Sequence, residues 1–270
     1  MFGLAPGGSG RQEVRMDRWL LATSALLAAL GGGLGMMSVH HGVRSKWTVV
    51  WAAGAFLLQF AFLFHRGQLE RACPLRDHGE VLGFLAWSLL LFFLLVGPAY
   101  RVSLLGVFTL PLVVVMQLAA LVPGVLHDVT QQAAQVTNGL REAHAALSVL
   151  AYGAMALAAV AGVMFLVLDR QLKEMHLKSG LFRNLPPARE LLQSQFRLMV
   201  IGLVIMTGGV VVTVLMPHDH TITHVLSGAV VWLGYAALIG VKVVRGISGR
   251  RSSLAVVAWF LVSLVVFAIK

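Results

Sequence analysis

Eight runs of apolar residues, each long enough to cross a bilayer as a helix, leave this chain few ways to fold. They cover roughly residues 19–39, 46–64, 80–97, 102–122, 144–168, 198–216, 224–241 and 253–269. A hydrocarbon core takes about 20 apolar residues per helical span. Backbone polar groups have no water to bond there, so only helices and closed barrels can cross. No run alternates with period two, which argues against a barrel. Hydrophobic residues make up 58% of the chain and charged residues 12%, far from the balance of a soluble domain. The expected fold class is all-α, a polytopic membrane helix bundle with about eight transmembrane helices. A polar N-terminal tail, 1–18, precedes a single transmembrane domain, 19–270.

The net charge of +10 has a simpler cause than nucleic acid. Lys and Arg collect beside membrane helices on the cytoplasmic side. Thirteen of the 21 lysines and arginines fall in the loops 1–2, 3–4, 5–6 and 7–8. Those loops are expected to be cytoplasmic, with both termini outside. Residues 1–30 resemble the charged and apolar parts of a signal peptide, but no small-residue cleavage site follows, so the first span is expected to be kept. Cys73 is the single cysteine. There is no disulfide framework and no CxxCH for attaching haem to this chain.

The segment "MPHDHTITHVLSG" (216–228) holds three of the ten histidines. With this topology His65, His78, His127, His144, His218, His220 and His224 fall on the outer side. His40, His41 and His176 fall on the inner side. His144 opens the fifth span, and His218, His220 and His224 open the seventh. Imidazoles from two helix ends at one depth could supply the axial ligands of a haem iron, or three could bind zinc or copper. Asp219 could orient one of them. The plainer alternative is a solvated interfacial loop with capping polar residues. His65 and His78, among Arg66, Arg71 and Arg76, read as interfacial.

Other polar groups within the spans have packing readings. His144, Ser148, Ala151, Tyr152 and Met155 form a stripe at helical spacing, expected to face the bundle interior. Gln59 and Gln117 are expected to make helix–helix hydrogen bonds. Glycines such as Gly31, Gly35, Gly209 and Gly234 either let helices approach closely or leave room for a flat ligand. In the long 5–6 connection, Leu191, Leu192 and Phe196 share one face of an amphipathic stretch after Pro186-Pro187.

Several segments in order resemble the cytochrome c assembly protein family, of the CcsA and HemX type. They are "RACPLRDHGEVLGFLAWSLLLFF" (71–93), "FTLPLVVVMQLAALVPG" (108–124), "REAHAALSVLAYGAMALAAVAGVMFLVLDRQLKEM" (141–175), "LPPARELLQSQFRLMVIGLVIMTGGVV" (185–211) and "VVWLGYAALIGVKVVRGISGRRSSLAVVAWFLVSLVVFAI" (230–269). The resemblance spans roughly residues 20–269. It implies a multi-pass protein of the bacterial inner membrane that handles or delivers haem for attachment to apocytochrome c at the outer face. It also implies a second membrane subunit of cytochrome c biogenesis as partner. His144 matches the family's outer histidine.

The chain departs from the family where its haem platform should be. A tryptophan-rich W-x-W-D-P-K-E segment is replaced by "MPHDHTITHVLSGAVVWLGYAALIG". Trp232 stands where a later tryptophan falls. Family histidines of the second and seventh spans align near Gln59 and Gly240. The cofactor-binding candidates are therefore His144, His218, His220 and His224 as iron ligands, Arg141 for the propionates, and Trp232. No acid/base pair or nucleophile emerges, so no independent catalysis is expected. The rival readings are a haem-free structural or regulatory paralogue that stabilises a membrane assembly complex, and a metal-ion permease.

Overall fold

The computed structural model describes residues 9–40, 47–97, 103–126, 138–173, 188–216 and 222–268. They form eight helices: α1 (Ser9–His40), α2 (Trp47–Glu70), α3 (His78–Val96), α4 (Ser103–Leu121), α5 (Gly139–Lys173), α6 (Ala188–Leu215), α7 (Ile222–Arg245) and α8 (Gly249–Ala268). There is no strand among the described residues, only an isolated bridge between Pro123 and Leu126. Seven helices are long and apolar enough to cross a membrane, and α4 contributes a shorter apolar stretch, Leu105–Leu121. The chain is a polytopic helical bundle.

Helices α1, α5 and α6 begin five or more residues before their apolar runs do. Helix α1 starts at Ser9, so the polar residues before Trp19 form its first turns. Helix α5 starts at Gly139, where Asn138 Oδ1 accepts the Leu140 N–H at 3.1 Å as a cap. Helix α6 starts at Ala188, so the amphipathic stretch is its first turns and not a separate element. Leu191 is fully buried there. Hydropathy marks the part of a helix that meets lipid; the helix itself runs on until its backbone is capped.

The bundle has two halves. Helix α1 packs on α2 and α4, and α3 packs on α4; α5 packs along α6 and against α8, and the contact of α3 with α5 joins the halves. Glycines make the close approaches. A Cβ on Gly153 would run into Ser88 of α3, one on Gly202 would reach the Met155 Cε at 2.8 Å, and one on Gly234 would enter the Trp259 ring. Gly31 and Gly35 hold α1 against Trp51, Thr48 and Val107. Packing therefore accounts for these glycines, as small residues commonly do in membrane bundles. Helix α7 touches α6 and α8 at the edge. Its Val243 and Val244 face outward, as does Val214 of α6.

Polar side chains inside the first half pair with one another. Gln117 Nε2 donates to Ser24 Oγ at 2.9 Å and to Gln59 Oε1, while Gln59 Nε2 donates to the Gly83 carbonyl at 2.9 Å. All three side chains are fully buried. This knot ties α1, α2, α3 and α4 together and bears out the expected helix–helix role of Gln59 and Gln117. Contacts across helix ends also group the start of α1, the α2–α3 turn, the start of α5 and the end of α6 at one end of the bundle.

Candidate functional site

His144 sits in the second turn of α5, part-buried against the last turns of α6. Its Nδ1 lies 3.1 Å from the Gly209 carbonyl and 2.9 Å from Thr213 Oγ1. A carbonyl can only accept, so Nδ1 carries the ring proton. The Thr213 hydroxyl donates to the same carbonyl at 3.0 Å, which leaves its oxygen lone pairs for Nδ1–H. Nε2 is then the nitrogen with a free lone pair. A ring fixed through one nitrogen with the other left basic is the arrangement that prepares an imidazole to bind a metal. Nε2 of this residue could hold a metal ion or the iron of a cofactor.

What Gly209 contributes is its backbone carbonyl. A Cβ there would make only ordinary contacts, at 3.8 Å from Leu147, 3.9 Å from Ser148 and 4.0 Å from His144 Nδ1. The stripe below follows suit. Ala151 and Met155 are buried, and Tyr152 donates to the Ser263 carbonyl of α8 at 3.4 Å. The face expected to look inward does so.

The other candidates divide. Arg141 is exposed one turn before His144, a spacing that puts both on neighbouring positions of one helix face. Its guanidinium makes no ion pair among the described residues. Trp232 donates from Nε1 to Thr207 Oγ1 at 2.9 Å. Thr207 lies on a different face of α6 from Gly209 and Thr213, at about 100° per residue. Helix α6 thus stands between Trp232 and His144, and the structure does not bring them together. His218 and His220 lie outside the described residues, as does the side chain of His224. The backbone of His224 is in the first turn of α7.

The positions where family histidines were expected hold other arrangements. Gln59 is committed to the polar knot. At Gly240 no atom of the described residues lies within 4 Å of where a Cβ would stand.

The same end of the bundle holds a charged network that sequence reasoning missed. Arg66 is 3% exposed. Its Nε donates to Glu80 Oε1 at 2.6 Å, and its Nη atoms lie 3.5–3.6 Å from Asp17, Glu70 and Asp77. His65 Nδ1 meets Asp17 Oδ1 at 2.6 Å. Asp77 caps α3 by accepting the Glu80 N–H at 2.6 Å, in a reciprocal box with Glu80. His65 is therefore not a simple interfacial residue, whereas His78 is exposed at the start of α3. The signal was present: Asp17, Arg66 and Glu80 stand within apolar helices, and charges there normally find partners. What hid it was the reading of Asp17 as part of a polar tail.

Cys73 lies in the turn between α2 and α3, and its N–H donates to Glu142 Oε2 at 3.0 Å. Burial pushes the thiol up to about 11, and the carboxylates of Glu142, Glu80 and Glu70 add repulsion against the thiolate. It stays a thiol at neutral pH. No group of three or more His, Cys, Asp or Glu suited to a metal ion occurs among the described residues.

Residues 75–270 match the model of a family described as Cytochrome C assembly protein. No curated protein matches the chain.

Proposed function

The chain belongs to the cytochrome c assembly protein family, and from that premise we propose that it handles or delivers haem for attachment to apocytochrome c at the outer face of a bacterial inner membrane. A role in cytochrome c biogenesis and a multi-pass membrane location come with the family and the apolar helices. The haem reading is supported above all by His144, whose Nδ1 is held by the Gly209 carbonyl and Thr213.

In this reading haem is cargo. His144 would hold the iron through Nε2, with one of His218, His220 or His224 as a second ligand. Arg141, one turn away on α5, pairs with a propionate in a charge-assisted contact. Thr213 and Gly209 keep the ring from rotating and keep its proton on Nδ1. The bound iron would supply a redox centre; the chain itself contributes position and charge, and no covalent step. The thiols for attachment come from the apocytochrome. A second membrane subunit would complete the assembly, and both termini would lie outside.

The absence of the tryptophan-rich platform favours a second reading, a haem-free paralogue that stabilises an assembly complex. A visible spectrum of the detergent-purified protein decides between them. A Soret band that His144→Ala removes or shifts supports haem handling. A colourless protein that takes up no added haem rejects it. Bound zinc or copper without haem would favour the metal-ion permease.

A further inference from the structure

A groove of about 570 Å³ opens on the outside of the bundle, between the last turns of α2, the turn that follows it and the first half of α3. Phe60, Phe64, Phe84 and Trp87 line it together with Leu63, Ala72 and Pro74. Trp87 stacks on Phe56 at 5.3 Å between centroids and meets the edge of Phe84 at 5.5 Å. Phe60 and Phe64 form the outer lip and are 50% and 59% exposed, so the groove opens sideways toward hydrocarbon.

The mouth is different in character. Arg71 follows the last residue of α2 and lines the groove. Its neighbours Arg66 and Arg76 engage the carboxylate network. Arg71 makes no ion pair with any described residue and is exposed. It also holds a left-handed backbone, with φ of 51°, a position at a helix end where glycine is usual. A cation thus stands where the apolar helix gives way to the headgroup layer, above a slot that suits a chain of methylenes.

We propose that this groove seats an acyl chain of an anionic phospholipid, with the headgroup phosphate on Arg71. An apolar trough beneath a cation that has no ion pair among the described residues matches an amphipathic anion whose charge lies at the membrane surface. The guanidinium fork suits phosphate oxygens. Apolar walls tolerate the shape of a flexible chain and ask for no particular headgroup beyond its charge. The site is independent of His144 and of haem.

The test uses the full chain in phosphatidylcholine vesicles containing brominated phosphatidylglycerol or brominated phosphatidylcholine. Bromine on the acyl chain quenches nearby tryptophan. The chain has six tryptophans, so the difference between wild type and Trp87→Phe isolates the groove. Quenching of Trp87 should reach half its limit at about fivefold lower mole fraction for the anionic lipid, the preference expected of one surface cation. Arg71→Gly removes the cation while relaxing the left-handed backbone, so it should fold as well as wild type and lose the preference. Arg71→Lys should keep most of it. Equal quenching by both lipids overturns the proposal, as does a preference that survives in Arg71→Gly. Quenching unchanged by Trp87→Phe also overturns it, because the lipid would then sit elsewhere. Displacement of the quench by an uncharged ring compound, but not by unbrominated phosphatidylglycerol, would assign the groove to a different occupant and reject this one.

Discussion

Arg66 Nε donates to Glu80 Oε1 at 2.6 Å inside the bundle, joining the end of α2 to the start of α3. Around that bond Asp17, Glu70 and Asp77 gather on one guanidinium. Removing the arginine leaves several buried carboxylates facing one another. Arg66→Met should destabilise the folded protein by about 3–5 kcal/mol. Arg66→Lys should recover only part of this, because a point ammonium cannot serve so many acceptors in a planar fork. Thermal unfolding in detergent, followed by helical circular dichroism, checks both. A Met variant as stable as wild type would show that the network adds nothing.

The Gln59–Gln117 pair makes a second prediction. Gln59→Leu leaves Gln117 Nε2 with Ser24 as its acceptor and removes the side-chain donor to the Gly83 carbonyl, which keeps its helical N–H partner. A cost of about 1–3 kcal/mol follows from losing two buried hydrogen bonds. Replacing both glutamines by leucine should cost less than the sum of the single changes. A denaturation series on the single and double variants measures the coupling.

Cys73 should react slowly. With the thiol pushed up to about 11 by burial and by nearby carboxylates, little thiolate exists at pH 7. Alkylation by iodoacetamide should rise steadily from pH 8 to above 10, without a plateau near 9. Glu142→Gln removes one of the repelling charges, so its reactivity curve should shift to lower pH. A curve that moves the other way would mean Glu142 does not face the thiol as described.

Thr213 gives a prediction tied to the haem reading. Thr213→Val removes the hydroxyl beside His144 Nδ1 but leaves the Gly209 carbonyl. The Soret band should persist, with affinity for added haem weakened roughly tenfold, as for other partners that orient a ligating histidine. Unchanged affinity would mean that the ring needs no second contact. Spectrophotometric haem titration of both proteins reads this directly.

The expectation for His65 shows where linear reading fell short. Its neighbours in sequence are arginines, which suggested a wet interface. Its neighbour in space is Asp17, 48 residues earlier. By contrast, Gln59 and Gln117 were legible because a polar amide at membrane depth must find a partner, and few were available.

From the sequence alone came the all-helical membrane fold, the approximate spans, the inward stripe of α5 and the family resemblance. Each follows from local composition, because lipid sorts residues by hydropathy and forces every span to satisfy its own backbone. Tertiary structure alone decided that Arg66 gathers carboxylates from three helices, that α6 separates Trp232 from His144, and that Gly209 and Thr213 fix the His144 tautomer. Those outcomes depend on which helix faces touch. That is set by side-chain shape and hydrogen-bond direction across helices, which no spacing along one chain encodes.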